Sequence, residues 1–453
     1  QTCPVCIGLP GTLPVMNRKA YELGLRTAVA LNCQIAPYTK WDRKNYYYPD
    51  LPKGYQISQY DLPFSANGWL DISDPKGKFE PKRVGITRAH LEEDAGKSMH
   101  DEQAGKSDSR IDLNRTGTPL LEIVSEPDMR SALEAKAYLS ELRLLLTYLG
   151  VSDCNMQEGS LRVDANVNLH IPQGDRLAKT PIVEIKNLNS FRAVERAITY
   201  EAERQYQVWQ ETKHEIGDAP KQTRGWDDAA NVTRGQRSKE ESSDYRYFPD
   251  PDLTPVTVTV AEVDAVRAAL GELPAALRTR LETSYGISDY DSDVIVNAGM
   301  STVDYFVAVA DKVGDGKVAC NWVTQDVARV LNEQNQTIEQ FPISATELAD
   351  LIRRVKGGDF DTSKAREIFA EILQSGKSVA DVVAAKGIKK VDESELIALC
   401  RKLLEANPQI VADVKAGKQQ AAGNLIGQAK KQNPNVNPGR VREIIADLIA
   451  SML

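Results

Sequence analysis

An α+β architecture is predicted for this 453-residue chain, with strands and helices segregated along it rather than alternating. Three observations predict it. Up to about Asp252 the sequence is rich in Gly, Pro and aromatic residues, and its apolar residues come in short runs such as LLEIV, VDANVNL and PIVEI. Runs of that length bounded by turn residues read as strands. One convincing helix interrupts them. Beyond Asp252 the apolar spacing changes to a helical period and keeps it to the C-terminus.

The interrupting helix begins at Ser131. Ser131 and Glu134 have the spacing of a capping box, apolar residues recur at Leu133, Leu139, Leu142, Leu145 and Leu149, and Gly150 closes it. Gln222–Ser243 (QTRGWDDAANVTRGQRSKEESS) is polar and reads as a mobile loop. The prolines and aspartates of Pro249–Pro255 mark the end of the first domain. Helices are expected over Ala261–Leu281, Asp291–Val313 and Cys320–Asn335, and another capped helix opens at Ser344–Glu347. From about Ile343 to Leu453 the chain reads as a small all-helical domain, with turns at GGDFD, SGKS, NPQ and NPNVNPG. Three domains follow from this reading: 1–252, 253–342 and 343–453.

A chain of this length exceeds one compact core. Its apolar (42%) and charged (26%) fractions are ordinary for a soluble protein, and no apolar run of about 18 residues is available to span a membrane. No secretory signal is visible. The six cysteines form no disulfide framework; Cys33, Cys154, Cys320 and Cys400 are isolated and expected to be reduced, which makes the cytoplasm the expected compartment. The net charge of −8 argues against indiscriminate nucleic-acid binding. From Lys386 onward, however, there are 11 Lys/Arg against 7 Asp/Glu. A locally basic tail fits an RNA contact, and fits a solvated helical domain almost as well.

The densest chemistry lies in Ile111–Pro127, IDLNRTGTPLLEIVSEP, which places Asp112, Arg115, Glu122 and Glu126 in a segment otherwise apolar enough to be buried. Buried charge is costly unless it is paired or holds a metal, so the run is either a salt-bridged strand or part of a site. Five further blocks are as distinctive: WDRKNYYYPDLPKGYQISQYDLP (Trp41–Pro63), VGITRAHLEEDAGKS (Val84–Ser98), QEGSLRVDANVNL (Gln157–Leu169), EIKNLNSFR (Glu184–Arg192) and SSDYRYFPDPD (Ser242–Asp252). In sequence and in order, the six blocks resemble the B-subunit family of the tRNA-dependent amidotransferases (GatB). Those enzymes convert Asp-tRNA(Asn) or Glu-tRNA(Gln) to the amidated form. Several ordered blocks are far more specific than one short motif.

The resemblance implies a cradle-like catalytic first domain for ATP, Mg²⁺ and the acceptor end, a helical connector, and a flexible tRNA-binding tail. It implies a carbon–nitrogen ligase with glutamine as amide donor. ATP phosphorylates the side-chain carboxylate of the mischarged tRNA, and ammonia then displaces phosphate. The implied partners are an amidase-type glutaminase A subunit and a small C subunit in a heterotrimer, with mischarged tRNA as substrate. About forty residues are expected ahead of Gln1. Glu93 and Glu122 are expected to hold Mg²⁺, and Lys44 and Lys53, with Glu93, to line the path of ammonia. In the tail, Lys415, Lys418, Lys430, Lys431, Arg440 and Arg442 are candidate tRNA contacts, the first four flanking a Gly-rich turn of Gly417, Gly423 and Gly427.

Read without the resemblance, these residues leave alternatives open. His90, Glu92, Glu93 and Asp94 lie together in AHLEED. Oxygen ligands suit a hard cation such as Mg²⁺, yet on a strand Glu93 and His90 point to opposite faces, and an exposed acidic turn is the other reading. Lys44, Tyr46, Asp50, Lys53 and Tyr55 form an aromatic-dense block. It reads as base stacking with lysines aimed at phosphate, or as a polar-lined core strand. Arg162, Asp164 and Asn166 alternate and so share a strand face. With Glu158 and Arg115 they are candidates to hold ATP or the acceptor end; an internal salt bridge is the alternative.

Cys3-Pro-Val-Cys6 has the spacing of half a zinc site. The resemblance supplies a second cysteine pair from the upstream segment, giving structural Zn²⁺ when that segment is present and two reduced thiols otherwise. GKS occurs at Gly96–Ser98 and Gly105–Ser107, but the position of the first P-loop glycine is Leu91 or His100, so neither is a P-loop. The sequence has no G-x-S-x-G elbow, no Ser-rich amidase loop and no cysteine in a nucleophile context. An amidating enzyme built from it must receive ammonia from a partner. The rival readings are a non-catalytic tRNA-binding scaffold and a free-standing ATP-dependent ligase.

Overall fold

The computed structural model describes residues 3–100, 109–236, 244–388, 392–415, 422–433 and 436–451. The second GKS, Gly417 and Lys418 lie outside the described residues. The chain divides into two compact units, Gln1–Pro274 and Ala275–Leu453. The α+β class holds: among the described residues every strand lies in the first unit, and the second is helical. The segment from 253 to 274, expected to open the helical connector, belongs with the strand-rich unit.

In the first unit α1 (Arg18–Ala30) leads into β1 (Gln34–Ile35), β2 (Tyr38–Thr39), β3 (Asp42–Asn45), β4 (Tyr55–Ser58) and β5 (Ser65–Ile72). Next come β6 (Lys82–Glu93), β7 (Lys97–His100), β8 (Ser109–Asp112), β9 (Pro119–Ser125) and α2 (Ala132–Tyr148). Then follow β10 (Ala165–Val167), β11 (His170–Gln173), β12 (Arg176–Lys179), β13 (Val183–Lys186) and α3 (Phe191–Thr212). The unit ends with β14 (Gln222–Asp227), β15 (Val232–Gly235), β16 (Phe248–Pro249), β17 (Val256–Thr257) and α4 (Val260–Ala268). Two four-stranded sheets, β1-β5-β6-β9 and β10-β13-β14-β15, carry the unit. A third, β16-β3-β4, brings the SSDYRYFPDPD block onto the aromatic block around Lys44.

The helix α2 forms as its sequence predicts. Ser131 accepts the Glu134 N–H, and Leu139, Leu142, Leu145 and Leu149 are buried. The Glu134 carboxylate does not close a capping box; it takes the Arg130 N–H at 2.8 Å and the Lys82 ammonium at 2.9 Å, tying the helix start to β6. The α2 leucines share one core with Trp41, Phe64, Val84, Ile86, Leu91, Ile185 and Trp226. Burial of each such side chain stabilises the fold by about 1.5–3 kcal/mol.

The position of the site is set by β6. Its first half sends Val84 and Ile86 into the core. A bulge between Ile86 and Arg88 then shifts the alternation by one residue. Ala89 and Leu91 take over the core face, and His90 and Glu92 turn to the opposite one. The ladder pairs His90 with Glu122 of β9, and directly opposed residues share a face.

Two expectations need correction. The described part of Gln222–Ser243 is a hairpin, with Arg224 paired to Gly235 and Asp227 to Val232. Its polar composition reflects a solvated outer face: Gln222, Arg234 and Gln236 are exposed, while Trp226 and Thr233 are buried. The long helices of the later chain are also broken. Ala261–Leu281 is α4 and α5 (Pro274–Tyr285), separated at Gly271, whose φ is +72°. Asp291–Val313 is α6 (Asp289–Asn297) and α7 (Met300–Val313), separated at Gly299. Cys320–Asn335 is α8 (Gly316–Asn321), a π-helical segment Trp322–Val327, and α9 (Ala328–Gln334).

Ser344 caps α10 (Ala345–Lys356) as the sequence predicts. It is followed by α11 (Thr362–Ser375), α12 (Val379–Ala385), α13 (Glu393–Ala406), α14 (Pro408–Lys415), α15 (Ala422–Gln432) and α16 (Pro438–Ser451). Leu396, Leu403, Leu425, Val441 and Ile445 from α13, α15 and α16 form a core of their own. Gly423 and Gly427 lie inside α15, not in the Gly-rich turn expected there. Among the described residues no helix is long and apolar enough to cross a membrane.

Candidate active site

On the face selected by the β6 bulge, His90, Glu92 and Glu122 present ligand atoms that all lie within 4.8 Å of one another. His90 is 2% exposed and Glu92 9%, whereas Glu122 is open to solvent. His90 Nε2 lies 3.2 Å from Glu92 Oε1, and Ser58 Oγ on β4 donates to the same oxygen at 2.8 Å. Nδ1 of His90 is buried with no hydrogen-bond partner among the described residues. An orphan buried nitrogen is unfavourable, and an imidazole whose other nitrogen faces a carboxylate has the chemistry of a cation ligand. Burial pushes the Glu92 carboxyl up, but His90, the Lys44 charge and Ser58 outweigh it and hold it below the usual carboxylate range. One imidazole and two carboxylates, at least one of them firmly ionised, fit a divalent cation.

Glu93 is not part of this cluster. It shares the Leu91 face of β6, forms an ion pair with Lys53, and accepts the Ile57 N–H at 3.0 Å. The Lys53 side chain is 4% exposed, and its ammonium sits 4.7 Å from the centre of the Tyr55 ring. The structure therefore joins Glu122 to His90 and Glu92, and joins Glu93 to Lys53, whereas the family resemblance implies Glu93 and Glu122 around one ion. The reason is the period of the strand: adjacent residues cannot face the same way.

Aromatic residues from two distant blocks pack on one another within reach of the cluster's charge. Tyr46 meets Tyr48 and Tyr245 edge-on, and Tyr245 meets Tyr247 in the same way. Tyr60 stacks on Tyr247 at 4.2 Å, and the Lys44 ammonium lies 5.1 Å from the Tyr245 ring centre. Burial, reinforced by Asp50, Glu92 and Asp94, raises the Tyr46 hydroxyl. Burial with Glu92 and Glu122 raises that of Tyr247. Both phenols are thus neutral hydrogen-bonding groups beside an anionic centre.

Asp94 follows Glu92 by two residues. It is 8% exposed and receives the Arg162 guanidinium at 2.6 Å and that of Arg115 at 3.3 Å. Arg115 also donates to the carbonyls of Ala95 and Gly96, at 3.0 and 2.7 Å. The alternation expected from Arg162 to Asn166 is present: Arg162, Asp164 and Asn166 are exposed, and Val163 and Ala165 are turned inward. Only the end of that run is paired as strand. Asp164 bonds Lys186 at 2.8 Å, and Glu158 sits in an exposed turn braced by Asn155. Of the row, Arg162 alone is tied to the acidic face.

Cys3 and Cys6 bring their sulfurs to 2.8 Å, and the Cys6 N–H donates to Cys3 Sγ at 3.3 Å. Among the described residues no further His, Cys, Asp or Glu joins them as ligands. In the tail, Lys430 faces Asp361 at 3.5 Å, and Arg440 pairs with Glu393 and Glu443. Lys431 and Arg442 are exposed, and Lys415 ends α14. A surface cleft of about 420 Å³ between α3 and the β14–β15 turn, lined by Arg192, Arg196, Tyr200 and Trp226, holds none of the sequence-predicted residues.

The sequence offers His90, Glu92, Glu93 and Asp94 together as ligands for a hard cation without choosing among them, and Ser58, Tyr245 and Tyr247 carry no expectation there. The usable signal is period two: His90, Glu92 and Asp94 alternate, as do Tyr245 and Tyr247.

Comparison with known proteins gives two family matches: the GatB/GatE catalytic domain over residues 1–264 and the GatB domain over residues 304–449. The chain is 60% identical over 452 residues to the B subunit of the aspartyl/glutamyl-tRNA(Asn/Gln) amidotransferase of Rhodopirellula baltica, covering 100% of this chain and 91% of that protein. It is 46% identical over 449 residues to the protein of the same name from Moorella thermoacetica, covering 99% and 92%. Identity to that of Thermosynechococcus vestitus is also 46%, covering 98% and 89%.

Proposed function

The chain belongs to the GatB/GatE family, and on that premise we propose that it is the amidotransferase component in which the side-chain carboxylate of a mischarged Asp-tRNA(Asn) or Glu-tRNA(Gln) is activated by ATP and amidated. The observation that carries this reading is the two-sided use of β6. One face gathers His90, Glu92 and Glu122, and the other buries the Lys53–Glu93 pair. An enzyme that must bring phosphoryl donor and ammonia to one carboxyl group needs two such environments, one anionic and cation-binding, one able to pass a small neutral base.

A carboxylate resists attack by ammonia because its charge is delocalised and oxide is a poor leaving group. Attack of the carboxylate oxygen on the γ-phosphorus of ATP expels ADP and gives an acyl phosphate. Ammonia then adds to the acyl carbon, inorganic phosphate leaves, and the amide forms with loss of a proton. A divalent cation such as Mg²⁺, held by His90, Glu92 and Glu122, would neutralise the phosphoryl oxygens. The chain's own residues do the rest. Ser58 and His90 fix the Glu92 carboxylate. The packed tyrosines Tyr46, Tyr245 and Tyr247 limit water around an acyl phosphate that hydrolyses readily. Lys44, Lys53 and Glu93 line the approach of ammonia.

The ammonia would come from a glutaminase partner of the amidase type, assembled with this chain and a small third component in the cytoplasm. Cys3 and Cys6 would hold structural Zn²⁺ when an upstream segment supplies two further ligands. The test is reconstitution with the two partners. ADP should form only when mischarged tRNA and Mg²⁺ are present, and amide should form from glutamine with the partners or from ammonium salts without them. Binding of tRNA with no ADP formation would instead favour a scaffold.

A further inference from the structure

We propose that Arg162 and Arg115, both anchored on Asp94, form the clamp for the polyphosphate of ATP. This inference rests on the ATP-using reading above and names the residues that grip the nucleotide. Asp94 lies just past the end of β6, two residues beyond Glu92 and buried like it, a step of about 6.6 Å along extended backbone. At that step the charge reverses. A single carboxylate, 8% exposed, faces two guanidinium groups, at 2.6 Å for Arg162 and 3.3 Å for Arg115. Two guanidinium groups thus converge on one buried carboxylate, beside a cluster built to hold a cation.

A guanidinium is a rigid fork of five N–H donors and accepts nothing. Arg162 spends one contact on Asp94, and its side chain remains 42% exposed. Arg115 is braced from behind by the Ala95 and Gly96 carbonyls, with its side chain 39% exposed. Both forks are therefore held in place yet keep donors facing outward. Paired planar forks match phosphate oxygens bidentately, which a lysine cannot do. Tyr46, whose hydroxyl senses both Glu92 and Asp94, spans the two parts of the row. Asp94 acts as a positioning residue, since it touches the arginines and not the nucleotide.

The experiment uses the reconstituted three-component enzyme and measures the KM for ATP and for mischarged tRNA separately, with ATP binding followed directly by equilibrium dialysis. Arg162→Ala should raise the ATP KM and Kd at least tenfold while moving the tRNA KM less than threefold. Arg162→Lys keeps the charge and loses the fork, so it should recover only part of the loss. Asp94→Asn should likewise raise the ATP KM, by releasing both forks. Thermal melting of Arg162→Lys verifies that the fold is intact, because Arg162 is an exposed residue with one partner. An unchanged ATP KM in folded Arg162→Ala and Arg162→Lys overturns the proposal. So does a rise confined to the tRNA KM, which would assign the forks to RNA phosphate. If the wild-type enzyme itself neither binds nor hydrolyses ATP, it is the parent reading that fails.

Discussion

Glu92 and Glu93 are neighbours in sequence with opposite surroundings, so single substitutions can separate their roles. Glu92→Gln and Glu122→Gln each remove a ligand charge from the cluster with His90 at almost constant volume. Loss of one preorganised electrostatic group costs about 10²–10³ in rate, and ADP formation on mischarged tRNA should fall by that much. Glu93→Gln should leave ADP formation within a few fold and instead depress amide formation, because its carboxylate belongs to Lys53. Equal loss of ADP formation in all three variants would show that the faces of β6 are not functionally distinct. The cysteines give a second test. Burial pushes Cys3 up, but hydrogen bonds from Cys6 and the charge of Lys53 outweigh it and hold the thiol below its usual range. Burial drives Cys6 and Cys33 up to about 11 and Cys320 to about 12; it raises Cys154 and Cys400 as well. Brief treatment of the native protein with iodoacetamide at about pH 8 should therefore modify Cys3 first, since the thiolate is the nucleophile. Peptide mass spectrometry locates the label, and labelling of Cys6 ahead of Cys3 would contradict the arrangement. Cys6 and Cys33 titrate higher in the folded than in the unfolded chain. The stability they lend is complete below pH 9.0 and is lost as pH rises through about 11.

At the scale of elements, local patterns that depend on a few adjacent residues were legible in the sequence. The start of α2 at Ser131, the start of α10 at Ser344 and the alternation from Arg162 to Asn166 all follow from capping chemistry or period two, and all are present. What was not legible depended on distant partners. The β6 bulge is fixed by register against β9; it decides that His90 and Glu92, and not Glu93, meet Glu122. The β14–β15 hairpin was hidden because half its residues face solvent, and helix breaks at Gly271 and Gly299 were outweighed by apolar period on both sides. Another long-range contact joins the loop of Cys3 and Cys6 to the turn before β9. Gly117 in that turn has φ +78°, and a Cβ there would overlap the Cys6 sulfur. The left-handed backbone alone costs an L-residue about 1–2 kcal/mol, and the overlap adds to it. Gly117→Ala should lower the melting temperature of the strand-rich unit by several degrees, roughly 2–4 °C per kcal/mol for a unit of this size, and speed the alkylation of Cys6. Calorimetry showing an unshifted transition would mean that the loop and the turn move independently.

At the scale of the whole molecule, the sequence places a boundary at Ile343, and the structure shows why a cut there is unsuitable for testing the tail. Tyr305 on α7 donates its hydroxyl to the Ile343 carbonyl at 2.9 Å and packs edge-on against Phe341. Leu348, Leu351 and Ile352 of α10 are buried as deeply as Val303 and Phe306 of α7. Removing 343–453 would strip part of that packing along with any RNA contact. The segment 392–453 is a better excision, because α13, α15 and α16 close their own core around Leu403, Leu425 and Ile445. It contains all six basic residues proposed to meet RNA, with Lys431 and Arg442 exposed and Lys430 and Arg440 held by surface ion pairs, which are worth little against a phosphate. Contacts from Lys and Arg to phosphate release counterions and make affinity fall with salt. Deleting 392–453 from the assembled enzyme should therefore weaken tRNA binding about tenfold or more, roughly 1.4 kcal/mol, and flatten its dependence on salt. At saturating mischarged tRNA, ADP formation should persist, because His90, Glu92, Glu122 and Asp94 all lie in the first unit. Filter binding across a salt series reads both quantities at once. An unchanged affinity and slope would assign tRNA recognition to the strand-rich unit and its partners, and leave the basic residues of the tail as solvating charge on helices.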